Sequence, residues 1–579
     1  MVGDDDIRIR PGRIRQTKPR KAKSFVSRVL AATQKAGGLY RSSSRGKGRR
    51  AFGRGRAASF SALRGLTSHS RIVVVKARVV RHRGKSAPLI AHLSYLRRDG
   101  VTRDGAPGKL FDAKGDATDA KAFAERCQND RHHFRFIVAP DDATELDDLR
   151  AFTRDLMGEM ARDLRTELDW VAVDHWNTEH PHIHVLVRGQ TNDGADLVIS
   201  RDYISRGLRA RAQQLATLEL GQRSEQEIRQ SLERQVDADR WTPLDHALAR
   251  EAAMKDGLID LRPNADQPND LEQSLLIGRA RKLEKLGLAV PVGVGQWMMA
   301  EEAESVLRKL GERGDIIKRI HQGLAARGVD RATGDFSWDG EAHGDSIIGE
   351  LISRGLDDEL KGSAFVIVDG VDGHTHHVRF FDLDATGDAA RGAIVEVRRL
   401  TPRDSGAARL VFAVRSDLSI EDQIHANGAT WLDRRLVAKE PMPISEAGFG
   451  QDVRNAMDAR ADHLIAEGLA RRLGQRLVFA SNLLETLRTL ELNEASAQLA
   501  SKTGLPRHSI AEGDSIAGVY RQRVNLASGR YAMIDDGLGF SLVPWTPSLE
   551  KQLGRQVSGM MAPSGGVDWS FGRKRGIGL

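Results

Sequence analysis

Apolar and polar positions along this chain change character abruptly at Arg71. From there Ile72-Val73-Val74-Val75-Lys76-Ala77-Arg78-Val79-Val80 is a β-branched run that fits a pleated sheet and predicts a first strand. After Arg81 to Lys85, Ser86 is placed to cap a helix, with Pro88 in the first turn, where a missing N–H costs nothing. Leu89, Leu93 and Leu96 mark one face of that helix, with Tyr95 at its rim and His92 beside it, so neither need be core. Phe134-Arg135-Phe136-Ile137-Val138 predicts a second strand ended at Pro140, with His132 and His133 ahead of it. Thr144 and Asp147 have capping-box spacing before an amphipathic helix marked by Leu146, Leu149, Phe152, Leu156, Met160 and Leu164. Trp170 to Asp174 and Ile183 to Val187 predict two further strands joined by a short polar turn.

These elements make residues 69–220 an α+β domain on a central antiparallel sheet. Residues 221–262 read as a helical connector. Ala280 to Ala300 and Ala461 to Ala480 look alike: each runs from a helix ending in Gly-Leu-Ala through a Gly-containing hairpin into another helix. That pattern predicts winged-helix-like units in 263–345 and at the start of 446–579, relatives of the major-groove readers. Two unrelated helix–hairpin units are the alternative. Phe365 to Phe380, Ala393 to Val414 and Val519 to Pro544 alternate in the manner of small β units, placing one in 346–445 and another at the end of the chain.

Charge changes this picture at one end. Residues 1–70 hold 18 Lys and Arg against three Asp, whereas all 579 residues carry only +9. Residues 1–68 are therefore expected to form a basic disordered tail, either a phosphate-binding arm or a solubilising extension. A single cysteine, Cys127, excludes a disulfide framework and Cys-based zinc fingers, so any metal must sit on His, Asp or Glu. The chain has neither a membrane-spanning apolar run nor an apolar leader at its start, and is expected to be a soluble protein of a reducing cytoplasm, without membrane insertion.

The most specific pattern is Asp174-His175-Trp176-Asn177-Thr178-Glu179-His180-Pro181-His182-Ile183-His184-Val185. Alternate residues of a strand share a face, so His182 and His184 can grip one ion, with His175 supplied across the turn. A chance cluster of solvated histidines is the bland alternative. Among five tyrosines, Tyr95 and Tyr203 are the candidates inside this domain, and Tyr203 has packing or DNA stacking as its plainer role. No second tyrosine lies one helical turn from Tyr95, and no His-Glu-x-x-His helix is present. His374, His376 and His377 imitate a metal site but are expected on the surface.

The His182-Ile183-His184 pattern resembles that of the HUH endonucleases. His175 to Val187 is similar to the third motif of the MobP-class mobilisation relaxases, the group that includes the T-DNA nicking enzyme of Agrobacterium. Ala91-His92-Leu93-Ser94-Tyr95-Leu96-Arg97-Arg98-Asp99 is similar to the first. The resemblance implies that Tyr95 is the nucleophile and that His175, His182 and His184 hold Mg²⁺ or Mn²⁺. It also implies nicking of single-stranded DNA at a transfer origin, alongside relaxosome accessory proteins and a type IV coupling protein, with export to a recipient cell as an option. His180, Asn177, Arg97, Arg98 and His133 are candidate accessory residues. Many family members carry Asp where Asn177 stands, and an amide takes no proton, so the acceptor of the tyrosine proton is left open. The later chain resembles the long C-terminal region, of unassigned function, in proteobacterial relaxases: Gly355 to Leu360, Gly428 to Asp433 and Trp545 to Glu550 are the landmarks. Alternative readings are a rolling-circle replication initiator and a non-enzymatic DNA-binding mobilisation accessory protein. Metal-dependent nicking separates the last from the others.

Overall fold

The computed structural model describes residues 54–82, 87–98, 101–176, 180–262, 271–338, 346–400, 409–474, 476–563 and 565–570. Residues 1–53, the Ser86 cap and Asn177 lie outside them. The chain divides into two units, Met1–Asp237 and Ala238–Leu579, and no helix among the described residues is long and apolar enough to cross a membrane.

In the first unit, helix α1 (Arg56–Arg64) precedes strand β1 (Val73–Arg81), and α2 (Ala87–Leu96) and α3 (Ala120–Arg126) follow. Next come β2 (His132–Pro140), α4 (Leu149–Leu164), β3 (Trp170–His175) and β4 (His182–Arg188). A π turn (Tyr203–Gly207), α5 (Leu208–Leu220) and α6 (Glu225–Val236) close the unit. The four strands form one antiparallel sheet in the order β1-β2-β4-β3. Alternation sorts its residues between two cores. Phe134, Phe136, Ile183 and Val185 bury against α4 and α5, while Val171, Val173 and Leu186 bury against Leu89, Leu93 and Leu96 of α2 and Phe123 of α3.

Two local expectations are corrected here. The cap of α4 is Asp148, whose side chain accepts from the Arg150 N–H, rather than Thr144 with Asp147. The expected disorder to residue 68 fails from Arg54 onward. Arg54 Nη1 donates to the carbonyls of Leu164 and Arg165 at the C-terminal end of α4, Gln214 Nε2 donates to the Ala62 carbonyl, and Ser59 and Ala62 are fully buried. These partners lie more than 100 residues away in sequence. Gly55, at φ 86°, sits so close to the Tyr203 ring that a Cβ would come within 2.9 Å of it, which excludes a side chain there.

The second unit opens with α7 (Pro243–Met254), β5 (Leu258–Asp260), α8 (Leu271–Lys285), the hairpin β6 (Ala289–Gly293) and β7 (Gln296–Met299), and α9 (Ala303–Ala325). Strands β5, β7 and β6 make a small sheet. A six-stranded sheet follows, built from β8 (Phe336–Trp338), β9 (Ser346–Asp358), β10 (Ser363–Gly370), β11 (Thr375–Phe380), β12 (Ile394–Leu400) and β13 (Arg409–Ser416). Then come α10 (Ile420–Ile424), α11 (Trp431–Leu436), α12 (Gly448–Ala466), the hairpin β14 (Ala470–Leu473) and β15 (Arg476–Phe479), and α13 (Leu483–Thr503). The chain finishes in a five-stranded sheet of β16 (Ser515–Leu526), β17 (Gly529–Asp535), β18 (Phe540–Pro544), β19 (Gln556–Met561) and β20 (Val567–Ser570), with α14 (Pro547–Glu550) between β18 and β19. Both helix–hairpin–helix stretches expected from sequence are present.

The resemblance between those stretches goes deeper than the hairpins. Thr242 and Asp245 form a capping box on α7, and the fully buried Arg279 of α8 meets Asp245 with Nε at 2.8 Å and Nη2 at 2.9 Å. Thr430 and Asp433 form the same box on α11, and the fully buried Arg460 of α12 meets Asp433 at the same two distances. In each case the guanidinium also donates to backbone carbonyls, of Ala238 and Arg240 in one and of Ile424, Ala426 and Gly428 in the other. A buried charge pair repays its desolvation only when its hydrogen bonds are this complete. Asp433→Asn keeps a capping oxygen but strands Arg460 without its counter-charge, and is expected to destabilise the second helix–hairpin region by about 3 kcal/mol. Urea titration of the full chain, followed by hydrogen exchange in α11 and α12, checks it; unchanged protection there refutes the pairing as a stabilising clamp.

Candidate metal centre

Where β3 pairs with β4, His175 lies opposite His182 and Val173 opposite His184. Alternation therefore turns His175, His182 and His184 to one face, the face covered by α2. All three are buried, and one nitrogen from each lies within 4.8 Å of the others. The ring centroids stand 4.5 Å apart for His175 and His184, 5.0 Å for His182 and His184, and 5.5 Å for His175 and His182.

Hydrogen bonds select which nitrogen two of the rings present. His175 Nε2 donates to the Leu96 carbonyl at 2.8 Å, and His182 Nδ1 donates to the His180 carbonyl at 2.9 Å. A ring nitrogen facing a carbonyl carries the proton, so the lone pairs reside on His175 Nδ1 and His182 Nε2. His182 Nε2 faces His184 Nε2 at 3.2 Å. Two lone pairs aimed at each other repel unless a proton or a cation lies between them. Two imidazoles anchored through one nitrogen to a carbonyl, and converging through the other with His184, fit a divalent cation.

The anchor of His175 also fixes the neighbouring helix. Leu96, whose carbonyl accepts from His175, follows Tyr95 directly at the end of α2. Tyr95 is half-buried at the edge of the α2 core, with the Arg98 guanidinium 4.2 Å above its ring and Arg98 Nη1 donating to its carbonyl at 3.4 Å. Arg97 is exposed. His180 is exposed as well, and contributes its carbonyl to the cluster.

Tyr203 occupies a different environment. Fully buried in the π turn, its hydroxyl donates to Asp163 at 2.9 Å, and Asp163 also takes Nε and Nη2 of Arg211 at 2.9 and 3.0 Å. Burial first, then Asp163, hold its phenol far above the ordinary value. Other expectations are corrected by burial. His132 and His133 lie inside β2 rather than ahead of it, because β1 goes on pairing through Val80 and Arg81. His92 is buried too. His376 and His377 belong to β11, which is flanked by β10 and β8, so both are buried; His376 Nε2 lies 2.9 Å from Asp372. Arg135 is not among the residues that the sequence pattern singles out. Its signal was an arginine between two phenylalanines in an apolar strand, where alternation assigns it to the face of His184.

Compared with known families, residues 102–216 match the relaxase family described as a MobA/VirD2-like nuclease domain. Residues 276–414 and 403–578 match DUF3363, a protein of unknown function. The first stretch contains all three histidines and begins beyond Tyr95. No curated protein and no solved structure matches the chain.

Two outcomes are expected of this site. His182→Ala and His184→Ala each remove a nitrogen ligand and should abolish Mn²⁺ binding measured calorimetrically without DNA, while far-UV dichroism stays that of the parent; unaltered affinity in both variants rejects the centre. Tyr203→Phe should cost about 1 kcal/mol in thermal or urea unfolding, since Asp163 keeps its two bonds from Arg211.

Proposed function

The chain belongs to the DUF3363 family of proteins of unknown function and carries a MobA/VirD2-like relaxase nuclease domain ahead of that region, and on this premise we propose that it nicks single-stranded DNA at a transfer origin through Tyr95. The observation that carries the reading is the hydrogen bond from His175 to the Leu96 carbonyl, which ties the residue after Tyr95 to the three-histidine cluster. A divalent ion held by His175, His182 and His184 would neutralise the non-bridging oxygens of the scissile phosphate.

The chain's own residues account for the rest of the step. Tyr95 Oη bonds to phosphorus as the bond from phosphorus to the 3′ oxygen breaks, leaving a 5′ phosphotyrosine and a free 3′ hydroxyl that takes up a proton. Arg98, stacked over the Tyr95 ring, supplies positive charge to the phenol that gives up its proton. The tyrosine ester conserves the bond energy, so attack by a 3′ hydroxyl rejoins the strand without a nucleotide cofactor. Within this reading the reaction takes place in the bacterial cytoplasm, with relaxosome accessory proteins and a type IV coupling protein as partners.

Incubating the full chain with single-stranded DNA and Mg²⁺ or Mn²⁺, followed by denaturing electrophoresis, should yield a covalent adduct that peptide mapping places on Tyr95. Tyr95→Phe should lose the adduct and keep DNA and metal binding, whereas Tyr203→Phe should still form it. A nucleotide found on Tyr203 or on a histidine refutes the assignment of the nucleophile.

A further inference from the structure

Within the first unit, the described residues cover only half of the sheet face that bears the histidines. Leucines of α2 close it over β3 and β4. Over β1 and the far part of β2, Val74 and Lys76 are exposed and Ile137 and Ala139 are half-buried. Arg135 lies at the boundary. It is opposite Leu186 in the β2–β4 register, one alternate position from the pair Ile137 and His184, so it and His184 are diagonal neighbours on one face, about 7 Å apart.

This guanidinium is buried and, among the described residues, has no carboxylate partner. Its Nε donates to His133 Nε2 at 3.0 Å, so His133 Nδ1 bears the proton and donates to His82 Nε2 at 2.7 Å. Opposite it in β1 stands another arginine, Arg78. Burial, then Arg78, push the Arg135 guanidinium down to about 9, so it remains cationic at neutral pH. Burial, then Arg135, keep His133 well below the ordinary imidazole value and hence neutral, an acceptor rather than a competing cation. The described residues give this buried cation hydrogen bonding but no negative charge, an arrangement that is costly unless an anion completes it. The clamped Asp245–Arg279 and Asp433–Arg460 pairs of the second unit show what a satisfied buried arginine looks like.

We propose that Arg135, oriented by His133 and His82, is the binding site for a DNA phosphodiester adjacent to the one at the histidine cluster, and that it fixes which phosphate reaches Tyr95. The proposal rests on the nicking reading for its DNA strand, and Arg135 acts on binding and register rather than on bond cleavage. Among the described residues this planar guanidinium is held through Nε alone, which leaves both Nη groups for two phosphate oxygens, the geometry in which arginine binds that anion best. The exposed Lys76 and half-buried Arg78 continue the positive charge along the open strip.

The test is fluorescence anisotropy of a labelled mixed-sequence single-stranded DNA with the full chain in EDTA, where nicking cannot start, over a range of salt. Arg135→Gln should weaken binding about tenfold at low salt and flatten the plot of log K against log salt by roughly 0.7, the value of one phosphate contact on a single strand. Its melting temperature without DNA should equal or exceed that of the parent, because an uncompensated buried charge has gone. His133→Gln, which retains an acceptor, should keep most of the binding, and His133→Leu should not. Unchanged affinity and slope in Arg135→Gln overturn the proposal, and so does a lowered melting temperature with an unchanged slope, which marks a structural arginine. If the parent binds DNA with this slope change yet never forms an adduct, the nicking reading fails and the phosphate site stands. If the adduct forms and Arg135→Gln binds like the parent, the reverse holds.

Discussion

Everything at the histidine cluster depends on the register in which β3 meets β4. Side chains alternate with period two, so a slip of one residue would carry His182 and His184 to the face of α4 and α5 and bring Ile183 and Val185 into their place. Burial on both faces makes such a slip prohibitive: Val171, Val173 and Leu186 are committed to one core, Trp170, Ala172, Val185 and Val187 to the other. The apolar residues between the polar ones thus hold the imidazoles in place. The chemistry of the face is set by the packing of its reverse side.

That division explains how much was legible in the sequence. The β-branched run at residues 72–80, the leucine face of α2 and the His-x-His alternation are local patterns, and each corresponds to an element or a shared face in the structure. Long-range partners were invisible. Nothing near Ser59 or Ala62 signals a helix packed beside residues 203–207, and nothing near His376 announces that β8 pairs beside it. Thr144 and Asp148 both carry a side-chain oxygen able to cap a helix, and only the backbone geometry at Asp148 separates them. Arg135 was read as one letter of a strand rather than as a charge, because single-strand periodicity carries no account of what lies opposite.

Among the described residues, the buried arginines are handled in contrasting ways. In the second unit each is neutralised by an aspartate that also caps a helix, so one carboxylate serves a backbone terminus and a side chain together. In the first unit the buried Arg71 meets Asp142 and Glu227, and one carboxylate, Asp163, serves both Tyr203 and Arg211. Arg135 departs from this pairing, and the departure lies on the face where the histidines converge. Local rules of polar satisfaction are broken where a ligand is to complete them.

The repeated arginine–aspartate clamp also bears on the order in which the chain assembles. Its partners are 34 residues apart in the first copy and 27 in the second, and in each copy both precede a large sheet in the chain. Short loops carry little closure entropy, so contacts of this span form early. During synthesis each clamp can be fastened before the sheet that follows it has left the ribosome, and the growing strands meet a helical layer already set rather than one still searching for its partners.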